Sequence, residues 1–141
     1  MSLSLQVSFD ADDPPTLAQF WAAALGYVLA AAARRLRQLA GLRRVGRAGR
    51  QTRSTIIAAL MDPDGRRPRL FFQKVPEGKQ AKNRVHLDVN VGAPDHDWAK
   101  VTVARRAAAR EAGGTIVEER TDEMSRWIVM LDPEGNEFCL Q

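Results

Sequence analysis

Asp62-Pro63-Asp64-Gly65, leading into Arg69-Leu70-Phe71-Phe72-Gln73, returns near the end of the chain as Asp132-Pro133-Glu134-Gly135, leading into Glu137-Phe138-Cys139-Leu140-Gln141. In each copy Pro presets φ early in a tight turn and Gly accepts a positive φ later, so both stretches predict a turn entering a strand. An apolar run precedes each turn, Thr55 to Met61 and Trp127 to Leu131, and suits the first arm of a hairpin. A repeat of this kind inside one chain predicts that its surroundings repeat as well.

The openings of the two halves do match. Leu5, Val7 and Phe9 alternate with Gln6, Ser8 and Asp10, and Val85, Leu87, Val89 and Val91 alternate with His86, Asp88 and Asn90. Period-two alternation predicts strands with one packed and one polar face. A helix follows each. In the first half Asp13 caps it, Pro14 or Pro15 occupies its first turn, Leu17, Phe20, Trp21, Ala24 and Leu25 recur at helical spacing, and Gly26 ends it. In the second, Asp95 or Asp97 opens the helix, Trp98, Val101, Thr102, Ala108, Ala109 and Ala112 form the inner stripe, and Gly113-Gly114 stops it. The helical aromatics are expected to be core. The order in both halves is strand, helix, strands, which predicts two like modules: module one over 3–75, a linker over 76–83, and module two over 84–141. Together they are expected to form a single α+β domain. If the two sheets pair edge to edge and curl, Gln6, Ser8 and Asp10 converge with His86, Asp88 and Asn90 on a concave surface, where small-molecule pockets are generally found; an ordinary solvated sheet face is the competing reading.

With 141 residues and 45% hydrophobic content, the chain can bury one substantial core. Its single cysteine, Cys139, has no internal disulfide partner, which fits a reducing cytoplasm. The longest apolar run, Phe20 to Ala33, is 14 residues against the roughly 20 a membrane-spanning helix needs, and it lacks the flanks of a signal peptide. A soluble, cytoplasmic protein with no membrane partner is therefore expected. No phosphate-binding glycine loop, nucleophile elbow or cysteine pair is present, so phosphoryl transfer, serine hydrolysis and dithiol redox chemistry have no support.

Leu5 to Tyr27 with its Phe20-Trp21 and Leu25-Gly26-Tyr27, the first turn with Arg69 to Glu77, the Lys82 to Val89 strand, and Arg126 to Cys139 together resemble the glyoxalase-like branch of the vicinal oxygen chelate (glyoxalase/bleomycin resistance/dioxygenase) superfamily. The resemblance covers nearly everything except Val28 to Arg53. It implies two tandem βαβββ modules forming a cupped mixed sheet around one divalent metal, each module giving a ligand from its first and its last strand. Carried onto this chain, the first-strand positions are Gln6 and His86, and the last-strand position of module two is Cys139, where metal-dependent relatives usually have Glu. In module one a strict overlay gives Phe71, with Gln73 two residues further along the same face. Divalent metals favour imidazole with anionic oxygen or thiolate. A metal on Gln6, His86 and Cys139, with Gln73, is thus possible but not favoured, and the expected cup has lost the metal and kept the pocket.

Without the metal, His86 and Asp88 can serve as an acid/base pair, though a polar binding face contains such pairs by chance. Gln6, Ser8, Phe71, Gln73, Trp127 and Cys139 are the candidate ligand-binding residues, Trp127 and the Phe71-Phe72 pair offering aromatic walls. At least one of the two phenylalanines is expected in the core. The function expected is that of a glyoxalase-like small-molecule-binding protein without the standard metal site. The alternatives are a metal-dependent lyase or dioxygenase-type enzyme using His86, and a protein that sequesters an antibiotic or toxin. The resemblance also implies a homodimer.

No acidic residue lies between Asp13 and Asp62, while Arg34, Arg35, Arg37, Arg43, Arg44, Arg47, Arg50 and Arg53 do. These eight account for the whole excess of 21 Lys and Arg over 17 Asp and Glu, so the rest of the chain is net acidic. Residues 28–53 read as an Arg-rich insertion in module one. Three explanations compete: a basic patch for nucleic acid or another anionic surface, a solvated lid over the cup, and a segment translated in a shifted frame. The absence of aromatics between Tyr27 and Phe71 argues against nucleic acid, which stacks on such side chains.

Overall fold

Both predicted turns close as hairpins. The N–H of Gly65 donates to the carbonyl of Asp62 and that of Gly135 to the carbonyl of Asp132, each at 3.0 Å, and the two glycines hold φ of 67° and 82°. The computed structural model describes residues 3–30, 56–91, 98–123 and 125–141. Its elements are β1 (Gln6–Ala11), α1 (Pro14–Leu25), β2 (Val28–Leu29), β3 (Ile57–Met61), β4 (Arg69–Lys74), β5 (Leu87–Val89), α2 (Trp98–Glu111), β6 (Thr115–Thr121), β7 (Arg126–Leu131) and β8 (Glu137–Leu140). They form two four-stranded sheets of like topology, β1-β4-β3-β2 and β5-β8-β7-β6. In each, the opening strand runs parallel to the closing one, since the helix crosses over between them, and the hairpin partners run antiparallel. This is the expected α+β arrangement of two modules.

The first helix forms as its sequence dictates. Asp13 accepts from the Thr16 amide at 3.3 Å and from its hydroxyl at 2.6 Å, prolines fill the first turn, and Gly26 closes the far end in a left-handed conformation. Leu17, Phe20, Trp21 and Ala24 are buried. The predicted caps Asp95 and Asp97 and most of the Arg-rich segment lie outside the described residues, as do the side chains of Trp98 and Val101. Of the rest of the predicted inner stripe, Thr102 and Ala109 are buried and Ala108 and Ala112 half-buried.

One core joins the modules. Phe20 and Trp21 of α1 meet Phe138 of β8 with ring centroids 5.7 and 5.0 Å apart, and Trp21 also contacts Phe9 of β1 at 5.2 Å. Burying each such ring stabilises the fold by about 1.5–3 kcal/mol. The Trp21 indole N–H donates to the buried Asp132 carboxylate at 3.2 Å, while the amides of Asp12 and Asp13 donate to Glu134, both at 2.9 Å. The module-two turn therefore anchors the module-one helix.

The structure corrects the outer ends of the predicted strands. Leu5 and Val85 were expected on packed faces, yet they are 69% and 79% exposed and precede β1 and β5. Alternation marks a strand but cannot tell where pairing stops.

Candidate functional site

Strand register places the polar residues. Across β1 and β4, Gln6 pairs with Arg69, Ser8 with Phe71 and Asp10 with Gln73; across β5 and β8, Asp88 pairs with Cys139. The Ser8–Phe71 pair in module one thus corresponds to Asp88–Cys139 in module two, so the module-one equivalent of Cys139 is Phe71. Gln73 corresponds instead to Gln141. A repeated hydrogen bond bears this out: Gln73 donates to Asp10 at 2.7 Å and Gln141 to Asn90 at 3.3 Å.

These pairs lie on the face of each sheet opposite the helices. In β1, Gln6, Ser8 and Asp10 are exposed while Val7 and Phe9 are half-buried toward α1. In β8, Phe138 and Leu140 are in the core and Glu137 and Cys139 face the other way. The two predicted aromatic candidates separate here: Phe72 is fully buried and stacks on Phe9 at 5.0 Å, whereas Phe71 is half-buried on the polar face. Trp127 of β7 shares the face of Val129, the partner of Cys139, and pairs with Arg120 of β6. A β-bulge between Ile116 and Glu118 turns Glu118 and Arg120 onto that face, where they form an ion pair.

His86 stands exposed just before β5. Among the described residues, no polar contact joins it to Gln6, Gln73 or Cys139. Val7 and Leu87, from the facing edge strands β1 and β5, line two clefts at the seam between the sheets, of about 460 and 250 Å³. The larger also takes in Tyr27, Arg67, Asp88 and Arg105, and the smaller takes in Ser8, Trp21, Asn83 and Glu137. Gln6, Phe71, Gln73, His86, Trp127 and Cys139 line neither cleft.

The electrostatics of the face differ between the modules. Burial pushes the Cys139 thiol up, and the Asp88 carboxylate beside it adds to the effect. Glu137 is drawn down to about 2 by the Asn83 amide, which donates to it at 3.0 Å, against a smaller opposing effect of burial, with Lys79 at 3.1 Å helping. Asp62 and Asp132, equivalent in the two turns, shift in opposite directions. Burial raises both, but at Asp62 the amides of Arg66, Asp64 and Arg67 more than offset it, while at Asp132, under α1, burial prevails over the donors from Asn136, Trp21 and Glu134.

Arg69 stands on the same face, outside the residues the sequence singled out. Its guanidinium donates to the Gln6 side-chain carbonyl at 2.7 Å and lies over the Phe71 ring, 5.3 Å from the centroid. The residue stood in the quoted strand, but its place opposite Gln6 depends on the register of a parallel pair formed across a long crossover.

The donor set does not fit a divalent metal. Phe71 offers no donor, the Gln6 oxygen is taken by Arg69, and the environment of Cys139 disfavours the thiolate that would ligate. No three His, Cys, Asp or Glu side chains among the described residues come together as a metal site.

Two βαβββ modules sharing a core, with their polar strand faces turned from the helices, define the class of two-module α+β proteins. The chain belongs to the glyoxalase-like domain family, whose model matches residues 6–141. A glyoxalase/bleomycin resistance protein/dioxygenase family enzyme from Burkholderia phytofirmans has a similar structure, with a TM-score of 0.63 at 16% identity over 96% of this chain and 94% of that one. So does a possible glyoxalase from Bacillus cereus, with a TM-score of 0.63 at 13% identity over 100% and 99% of the two chains. A fosfomycin resistance protein from Listeria monocytogenes, complexed with Mn(II) and a dihydroxypropylphosphonic acid, gives 0.63 at 12% identity over 100% of this chain and 90% of its own. At these identities the likeness is one of fold. No curated protein matches the chain by sequence. Among the described residues, no helix is long and apolar enough to cross a membrane.

Proposed function

We propose that the protein binds a small molecule in its cup without the divalent metal of its metal-dependent relatives. What carries this reading is the set of groups at the four family ligand positions: Gln6, Phe71, His86 and Cys139 offer one strong neutral donor and no carboxylate. The polar rows of β1 and β5, with Phe71 and Trp127 as aromatic walls, suit ligand binding. Retention of an antibiotic or toxin is a form of the same activity. The likeness to a fosfomycin resistance protein supports the shape of the cup, but the Mn(II) named with that protein would find no carboxylate at these four positions. The cytoplasmic, dimeric state expected from the sequence is part of the proposal.

Metal content is the test. Protein purified from cells grown with added manganese, zinc and iron is expected to carry substoichiometric metal, and Cys139→Glu, which restores a carboxylate, to gain Mn(II) affinity in titration calorimetry. Stoichiometric metal in the wild type that His86→Ala abolishes would overturn the metal-free reading.

A further inference from the structure

Arg69 is held as a binding group is held, although among the described residues no carboxylate meets its charge. One edge of its guanidinium is fixed by the Gln6 oxygen at 2.7 Å, and its Cζ lies over the Phe71 ring, 5.3 Å from the centroid. The Gln6 amide in turn donates to the Ser8 hydroxyl oxygen at 3.4 Å, leaving the hydroxyl proton available. A guanidinium has five N–H donors in a fixed fork, and a single neutral acceptor leaves most of them unused.

No carboxylate pairs with Arg69 among the described residues, whereas Arg120, the cation on the same face of the other sheet, is paired with Glu118. Next to Phe71 lies apolar floor: Ala59 is its cross-strand partner, and the half-exposed Ile57 lies two residues further along β3. A fixed, unneutralised fork beside a flat apolar floor is complementary to an oxyanion attached to a flat apolar body. We propose that Arg69 is the anion-recognising residue of the cup, and that the ligand class is small organic acids with a planar apolar body. The acid group takes the free edge of the guanidinium, with Ser8 as a second donor, and the body lies on Phe71 and the β3 floor. The inference rests on the small-molecule reading above and names its ligand class.

The test uses 1-naphthoate and its neutral isostere 1-naphthamide, titrated calorimetrically into the full chain at low salt. Wild type is expected to favour naphthoate at least about tenfold, the order of a hydrogen bond to a charged group. Arg69→Gln should remove that preference, bringing naphthoate affinity down to that of naphthamide in the same variant; Arg69→Lys, which keeps the charge but loses the fork, should retain part of the preference. Arg69 is exposed and its partner is neutral, so melting temperatures of the variants should stay near that of wild type. Equal affinity of wild type for the two compounds, or a preference that survives in Arg69→Gln, overturns the role of Arg69 alone. Failure of both compounds to bind overturns that role together with the small-molecule reading.

Discussion

Gly113 and Gly114 stand side by side after α2, and the structure asks different things of them. Gly113 adopts φ 99° and its amide bonds Arg110 O, while the Gly114 amide reaches Ala109 O, a Schellman closure of the helix. A methyl group on Gly113 would meet only Pro133 at 3.5 Å, an ordinary contact, so Gly113→Ala carries backbone strain of about 1–2 kcal/mol. On Gly114 the same methyl would lie 2.6 Å from Phe20, 2.9 Å from Ala109 O and 3.1 Å from Leu131 O. Two of these obstacles are backbone. The third is a fully buried ring wedged against Trp21 at 5.5 Å and Phe138 at 5.7 Å, so it cannot swing aside. Gly114→Ala should therefore cost about 3 kcal/mol, the upper part of the usual range for overpacking. For a chain of this size that is a fall in melting temperature of roughly 9 °C. Urea unfolding followed by tryptophan fluorescence should show a lower midpoint with an unchanged slope. A Gly114→Ala loss smaller than that of Gly113→Ala, or below about 1 kcal/mol, would refute the close approach of α2's end to Phe20.

Trp21→Phe keeps most of the ring but removes the donor to Asp132, and should cost about 1–2 kcal/mol at neutral pH. The cost should shrink near pH 3. Asp132 is raised in the folded protein, so stability falls as pH climbs from 3.8 through its folded value; without the indole N–H that fall deepens, whereas below pH 3.8 the carboxyl is neutral in both states. Melts of both proteins at pH 3 and pH 7 check the sign, and a penalty independent of pH would contradict it.

What the sequence made legible was local. The Asp-Pro turns, the Asp13 cap, the Gly26 stop and the alternation of β1 are each encoded within a few residues, and all appear as read. Features that depend on how distant pieces meet were not legible. The bulge after Ile116 reverses which face Glu118 and Arg120 occupy, because one extra residue inverts a period of two, and nothing in Thr115 to Thr121 announces it. Trp21 was read as core, correctly, but its N–H had to find a buried acceptor, and that acceptor is 111 residues away. The use of Gly114 for a close approach, separate from stopping the helix, depends equally on where Phe20 arrives.

The duplication shows where functional information resides. At equivalent core-facing positions the modules keep similar chemistry, Leu70 against Phe138 and Phe72 against Leu140, because both faces are buried under helices. At equivalent positions on the polar face they have diverged: Phe71 against Cys139, Ser8 against Asp88, Arg69 against Glu137. Burial explains the first pattern, since a polar group there would need a partner. The second faces no such constraint, so a change of charge there costs the fold little and is free to follow a ligand. Arg69 and Glu137 put opposite charges on corresponding sites; among the described residues the glutamate meets an opposite charge in Lys79 and accepts from the Asn83 amide, whereas no carboxylate pairs with Arg69. On the proposal that Arg69 recognises an anion, module one is the half whose polar face carries the charge such a ligand would meet.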